Sequence, residues 1–541
     1  MRSWDTDASV ELYQMIRTVP WLVCVTLTGT SIVLAGQAGG QLSISGKVVN
    51  AVTGAPVPYA SVVLSAGSST EADGTGAFHF SGLAPEVYQV MAFKAGFEPV
   101  GINLAINAAG PQISLSRSVE NYVVKMTPLA TIRGRVVDGD GEPVKSATVT
   151  LLQSRVIYGR RQLQMVSFVQ TNDRGDYRVS DLLAGNYLVQ AAGATSHTAY
   201  YGESAPPAGD TDSFAPTYFG GAHRADAAQA IALGPGMEAR ADIEVELQTE
   251  RRIRGRIANY RPHTRATLLV SSGDGDRGQA AVTLEYATGR FQIHGVRDGV
   301  YRLLAYQKDD GQNLTYDECT IEVAGRDLEN VVLTLAAPSS VRGALQSEST
   351  GSVRPVHFQM HLVPQDMILG EIGGARWSNP AADGVFEIPL VPAGKYWVDF
   401  ESAGGQYVAS ARAGRTNLLA TREVVISAAG EPPIEIVLRA DGGSIQGSID
   451  SPAGAESEAL ALLVPEACNR PAALAYASGG KFGFEDVAPG AYRVYAWPQG
   501  PELEYGTPAA LCALARGGVP VAVQAGRAAT VRLPGFSEEP K

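Results

Sequence analysis

Seven histidines, four cysteines and 55 acidic residues are what this 541-residue chain offers for metal or acid–base chemistry. A zinc peptidase needs a His-x-x-Glu ligand pair and a further His, so that neighbouring side chains close on one ion. None of His79, His197, His223, His263, His294, His357 and His361 has Glu three positions on, and no His-Glu-x-x-His occurs. His357 and His361 stand four apart in Val-His-Phe-Gln-Met-His-Leu. Their flanking Val and Phe favour a strand, on which the pair would lie about 13 Å apart, too far to share an ion. Gly273-Asp-Gly-Asp-Arg-Gly278 has the letters of a dinucleotide fingerprint. The Val282-Thr-Leu-Glu-Tyr286 segment behind it alternates like a strand, where that chemistry needs a helix. Asp274 and Asp276, and likewise Asp138 and Asp140, could hold calcium, although both pairs lack the full ligand spacing of a calcium loop. No Gly-x-Ser-x-Gly elbow or Walker loop is present. No catalytic residue and no cofactor other than calcium is expected, and the chain is read as non-enzymatic.

Binding is better represented. The segment 200–236 places Tyr200, Tyr201, Phe214, Tyr218 and Phe219 among Pro, Gly, Ser and Asp. So long a connection is unusual without a purpose, and rings beside carboxylates suit the stacked faces of a polysaccharide. The same rings could instead fold back over the end of their own domain. Arg251, Arg252, Arg254 and Arg256 form a basic cluster. Three of them alternate along a strand, which makes a solvated edge or face. A site for a polyanion is the other use. Cys468 and Cys512 lie close enough in the chain to share one domain, where they would pair in an oxidising compartment or remain two thiols. The 43 basic against 55 acidic residues give a net charge of -12, which excludes a nucleic-acid partner that needs a basic face.

The elements that would carry these residues follow from a repeat. There are 60 glycines and 31 prolines, far above average usage, and both residues break helices and make turns. Much of the glycine recurs in one pattern: Gly-x-aromatic-x-apolar, apolar at +7, Gly at +10 and Tyr at +12. It begins at Gly76, Gly175, Gly289, Gly384 and Gly480, and ends at Tyr88, Tyr187, Tyr301, Tyr396 and Tyr492; Glu86 replaces the second glycine in the first copy. Each copy follows an apolar-x-Gly-x-apolar segment centred on Gly46, Gly134, Gly255, Gly343 or Gly447. Alternation with period two puts Phe78 with Phe80, and Ile132 with Val136, on one face of a strand. Each Tyr should begin a strand with its ring over the core and its hydroxyl on backbone, like a tyrosine corner. The copies start 99, 114, 95 and 96 residues apart, each enough for an independent sandwich.

The first two copies add Pro56-Val-Pro-Tyr-Ala60-Ser-Val62 and Pro143-Val-Lys-Ser-Ala147-Thr-Val149. With the Gly–aromatic–Tyr pattern, these segments resemble the carboxypeptidase regulatory-like domain. The resemblance implies a transthyretin-like, seven-stranded β-sandwich and the non-catalytic companion of a peptidase. It is also similar to starch-binding and collagen-adhesin sandwiches. The expected fold is all-β, a tandem array of five such modules at 41–127, 128–249, 250–337, 338–440 and 441–541. Short junctions would string them into a rod.

Residues 1–40 are expected to direct export. An apolar run from Val19 to Leu34 follows Arg17 and leads into the small-x-small sequence Gly36-Gln-Ala38. Asp5, Asp7 and Glu11 do not suit a signal, and a start at Met15 would remove them. If uncleaved, this run would be a membrane contact. The sequence thus describes an exported binding or scaffold protein of the periplasm, outer surface or medium. Its expected partner is a polysaccharide, an envelope protein, or a surface transporter or peptidase that it assists.

Overall fold

The computed structural model describes residues 42–536 apart from 66, 104–107, 110–111, 158, 194–211, 263, 265, 273–279, 310–312, 349–356, 374–375, 382, 404, 429–431, 451–458, 478 and 498–502. The export segment lies outside these residues. The fold is all-β. In every repeat the strand centred on the early glycine lies in the middle of one sheet. It pairs antiparallel with the strand carrying the aromatic residue and parallel with a strand that closes the repeat. In the first repeat Leu42–Asn50 lies between Ala77–Leu83 and Val119–Met126. The facing sheet is Ser69–Glu71, Ser61–Leu64, Val87–Phe93 and Gln112–Ser114, so three strands face four. The fifth repeat keeps the same division, with Ala473–Ala477, Ala459–Pro465, Gly490–Trp497 and Val519–Val523 in its larger sheet. These are the seven-stranded sandwiches that the resemblance implies.

Alternation decides what is buried. Ile44 and Val48 are inaccessible while Lys47 between them is exposed. Among the described residues, the main buried clusters occupy 44–126, 130–245, 253–335, 341–438 and 445–533. Each contains the apolar residues of one copy of the pattern.

The early glycine exists because a ring, and in the first four repeats also a carbonyl of the closing segment, takes its side-chain space. A Cβ on Gly46 would lie 2.9 Å from Cζ of Phe78, and one on Gly134 would lie 2.9 Å from Cε1 of Tyr177. Phe291, Phe386 and Phe482 crowd Gly255, Gly343 and Gly447 in the same way. The next glycine makes the turn. Gly76, Gly175, Gly289, Gly384 and Gly480 have φ between 70° and 83°, where side chains are strained. Their carbonyls accept the N–H of Val48, Val136, Ile257, Leu345 and Ile449 at 2.8–2.9 Å, fastening the turn to the central strand.

The tyrosine does what its position demands. The hydroxyls of Tyr88, Tyr187, Tyr396 and Tyr492 donate to the carbonyls of Ala84, Leu183, Pro392 and Ala488, at 3.1, 2.8, 2.9 and 2.7 Å. In the third repeat the Arg297 amide donates to the Tyr301 hydroxyl at 3.1 Å. A feature absent from the sequence expectation accompanies them. Six positions after the turn glycine, Gly82, Asp181, Gly295, Leu390 and Asp486 all have φ between 55° and 74°. Each adds one residue to its strand, and the register slips there in all five repeats. The bulge returns the apolar +7 residue to the core face.

Among the described residues, three short α-helices were not expected: Met367–Gly373, Leu418–Thr421 and Pro508–Leu514. The last begins with a recognisable cap, in which Thr507 Oγ1 accepts the Ala510 amide at 3.3 Å ahead of Pro508. It covers the outer face of the fifth repeat, where Leu511 and Leu514 pack with Leu462, Val464, Tyr495 and Trp497. The rod needs correction too. Met367–Gly373 inserts Ile368, Leu369 and Ile372 against Leu304 and Leu314 of the third repeat. The second repeat, moreover, reaches the fourth and fifth directly.

Replacing Gly447 by Ala should lower the melting temperature of the fifth repeat, because Phe482 must move; overpacking of this kind costs about 1–3 kcal/mol. Adding Phe482→Leu should recover part of the loss. Calorimetry of both variants checks this, and equal melting of Gly447→Ala and the parent would refute the ring-over-glycine account.

Candidate functional site

The aromatic segment of the second repeat is turned inward. Thr217–Tyr218 pairs antiparallel with Gly185–Ala192, opposing Tyr218 to Gln190. Tyr218 is 6% exposed, and Phe214 and Phe219 pack against the core of the same repeat. The Phe219 amide donates to the Val189 carbonyl at 2.8 Å, and the Phe214 carbonyl accepts Arg297 Nη2 at 2.6 Å from the third repeat. Tyr218 is therefore taken up by its own sandwich, while Phe214 and Phe219 pack on that core and stay partly exposed. Burial of 150–250 Å² per ring outweighs exposure where a sheet edge is available. Tyr200 and Tyr201 lie outside the described residues.

The other candidates resolve individually. Asp138 Oδ1 accepts the amides of Asp140 and Glu142 at 3.1 and 2.9 Å, so this carboxylate caps its own turn. Asp274 and Asp276 lie outside the described residues. His357–Pro364 is a strand, as expected from its composition, and His361 Nε2 lies 3.6 Å from Glu401 Oε2. Arg251–Ala258 is central in its sheet, between Arg290–Val296 and Leu328–Thr334, so the edge alternative for the arginine cluster is corrected. It forms a face with carboxylates interleaved: Arg254 Nη1 is 2.5 Å from Glu329, and Arg251 Nε is 3.6 Å from Asp298.

Cys468 and Cys512 are free, partly exposed thiols; Cys468 Sγ donates to the Glu466 carbonyl at 3.8 Å, and Cys512 is its neighbour. Burial and this neighbour push Cys468 up to about 11. Cys512 sits on the helix Pro508–Leu514, and Cys468 in the turn where its amide bonds the Pro465 carbonyl. Cys319 stands apart on Leu314–Val323, its thiol also raised by burial.

The most elaborate assembly was invisible to motif reasoning. Thr148–Ile157 and Arg160–Gln170 form a long hairpin whose tip rests on the fourth and fifth repeats. The Gly159 carbonyl accepts the amides of Tyr505 and Gly506, and the Arg161 amide donates to Glu504 Oε1 at 2.9 Å. The Arg160 guanidinium, 4% exposed, lies 3.8 Å from the centroid of the Trp397 ring. Beside it, Arg422 pairs with Asp399 and donates to the Gly506 carbonyl at 3.4 Å. The only sequence signal is a long alternating stretch on either side of one glycine.

Comparison with known proteins places part of this architecture. Residues 43–115 and 131–216 match the family model of the carboxypeptidase regulatory-like domain. Two segments of the chain are thus similar to that domain. No curated protein matches it. Among solved structures, a minor pilin of Streptococcus agalactiae is similar at 14% identity, covering 38% of this chain and 95% of that one, with a TM-score of 0.20. The major pilin subunit BcpA of Bacillus cereus is similar at 11% identity, covering 58% and 99%, with a TM-score of 0.16.

In the second repeat, Tyr218 should behave as core. Tyr218→Ala is expected to destabilise that domain by about 3–5 kcal/mol, as buried aromatic truncations do. Denaturant titration followed domain by domain measures it, and an unchanged midpoint would return the ring to the surface.

Proposed function

We propose that this protein is an exported, non-catalytic framework of the cell envelope or extracellular space, made of five sandwich modules with the boundaries read from the sequence. The observation that carries this reading is where the repeated residues go. The glycines, rings and tyrosines of all five copies are consumed in building cores and turns. The two segments similar to the carboxypeptidase regulatory-like domain support it as well. Contacts of the second repeat with the fourth and fifth make the framework a folded-back one: the Gly159 carbonyl accepts the Tyr505 and Gly506 amides, and the Arg160 guanidinium lies over the Trp397 ring. The partner is an envelope protein or a surface transporter or peptidase that the framework positions. The burial of Tyr218 weighs against polysaccharide binding through that ring.

Export has a chemical consequence. Cys468 and Cys512 would pass two hydrogens to a disulfide-exchange partner of an oxidising compartment and join as a disulfide, leaving Cys319 reduced. Protein recovered from the envelope should have one thiol accessible after denaturation and a mass lower by two hydrogens than its reduced form. Three titratable thiols in that protein would refute the pairing. A periplasm-dependent reporter enzyme fused after residue 40 tests export separately: activity is expected, and a silent fusion would overturn it. Chelator-sensitive hydrolysis of any peptide would overturn the non-catalytic assignment.

A further inference from the structure

We infer that the tip of the hairpin Thr148–Ile157/Arg160–Gln170 is an intramolecular clasp, which seats between the fourth and fifth repeats and can leave them without unfolding any core. Three observations point to it. First, the seat is shaped for this tip. Gly159 has φ 75°, and a Cβ there would lie 2.6 Å from the Tyr505 ring and 2.7 Å from the Gly506 nitrogen. Gly506 is equally closed, because its own Cβ would lie 2.6 Å from Arg160 Cγ.

Second, the contacts lie outside the cores of the repeats they join. They consist of the two amides on the Gly159 carbonyl, the Arg161 amide on Glu504, and the guanidinium on the outward face of Trp397. Arg160, Trp397 and Gly506 belong to no buried core of these repeats, and Tyr505, which bonds the tip through its amide, packs with its ring on the helix-covered outer cluster of the fifth repeat and not on its inter-sheet core.

Third, the closed seat is electrostatically incomplete. Arg160 Nε and Nη2 and Arg422 Nε are buried without an acceptor among the described residues. Arg160 and Arg422 face each other, and burial followed by this like charge lowers Arg160 to about 10, with Asp399 and Glu423 acting against them. Arg422 is held in the left-handed region at φ 56°. A ring face and two backbone hydrogen bonds hold the tip in place, while two crowded cations oppose it. That balance suits an element that opens, joining the second repeat to residues more than 200 positions away when closed.

The full-length chain, Gly159→Val and Trp397→Ala would be compared by amide hydrogen exchange and small-angle scattering. In the parent, the Tyr505 and Gly506 amides should be protected. In both variants they should exchange roughly tenfold or more faster. The amides of Val149, Val398 and Val464 should keep their protection, and the radius of gyration should rise. Unchanged exchange at Tyr505 and Gly506 in both variants would overturn the clasp. So would loss of protection at the core amides together with them, because the tip would then be part of a core.

Discussion

A ring lying over a glycine is the contact on which each repeat depends. The central strand must accept a neighbour on each side, and in the first four repeats its glycine also faces a carbonyl of the closing segment: Tyr122, Ala241, Val331 or Ile434. Any side chain there would hold off the ring and the parallel partner at once. In the fifth repeat the three nearest atoms to the missing Cβ all belong to Phe482. The ring is therefore the common element, and the closing strand follows from it. In the second repeat Tyr177 links the two, since its hydroxyl donates at 2.6 Å to the same Ala241 carbonyl that crowds Gly134.

What the sequence revealed is what is local. Tyr88, Tyr187, Tyr396 and Tyr492 find their acceptors four residues back, so spacing alone predicts the bond. The turn glycine is similar, since a positive φ leaves a mark on residue type. The bulge went unread because its position admits several residues. Asp181 and Asp486 tolerate the left-handed region, and Leu390 is strained there but packs on the cluster of Leu304, Leu314 and Ile368. At Leu390 a local preference has yielded to a contact with another repeat.

The aromatic segment illustrates the opposite case. Rings set among Pro, Ser and Asp have the same composition whether they face a ligand or their own sheet. Only the pairing of Tyr218 with Gln190 decides between them, and that pairing is tertiary. The strands 459–465 and 490–497 did carry a legible sign. Their later residues are apolar without alternation, because the helix Pro508–Leu514 covers the face that a two-layer sandwich would leave wet.

The rod failed for a related reason. Short junctions restrict neighbouring repeats, but they say nothing about repeats two or three places apart. A hairpin of ten and eleven residues reaches roughly 33 Å at the strand rise, about the width of a domain, so its tip can meet distant repeats. Once there, it makes the repeats interdependent. Burying Arg160 costs several kcal/mol if nothing compensates, and a desolvated cation on an indole returns about 2 kcal/mol or more. The remainder must come from the backbone hydrogen bonds of Tyr505 and Gly506 to Gly159 and from the Asp399 charge. Each of those groups is placed by a different repeat. Misplacing any one of the repeats leaves a buried charge short of its partners, so the seat reports on the relative positions of the second, fourth and fifth repeats together.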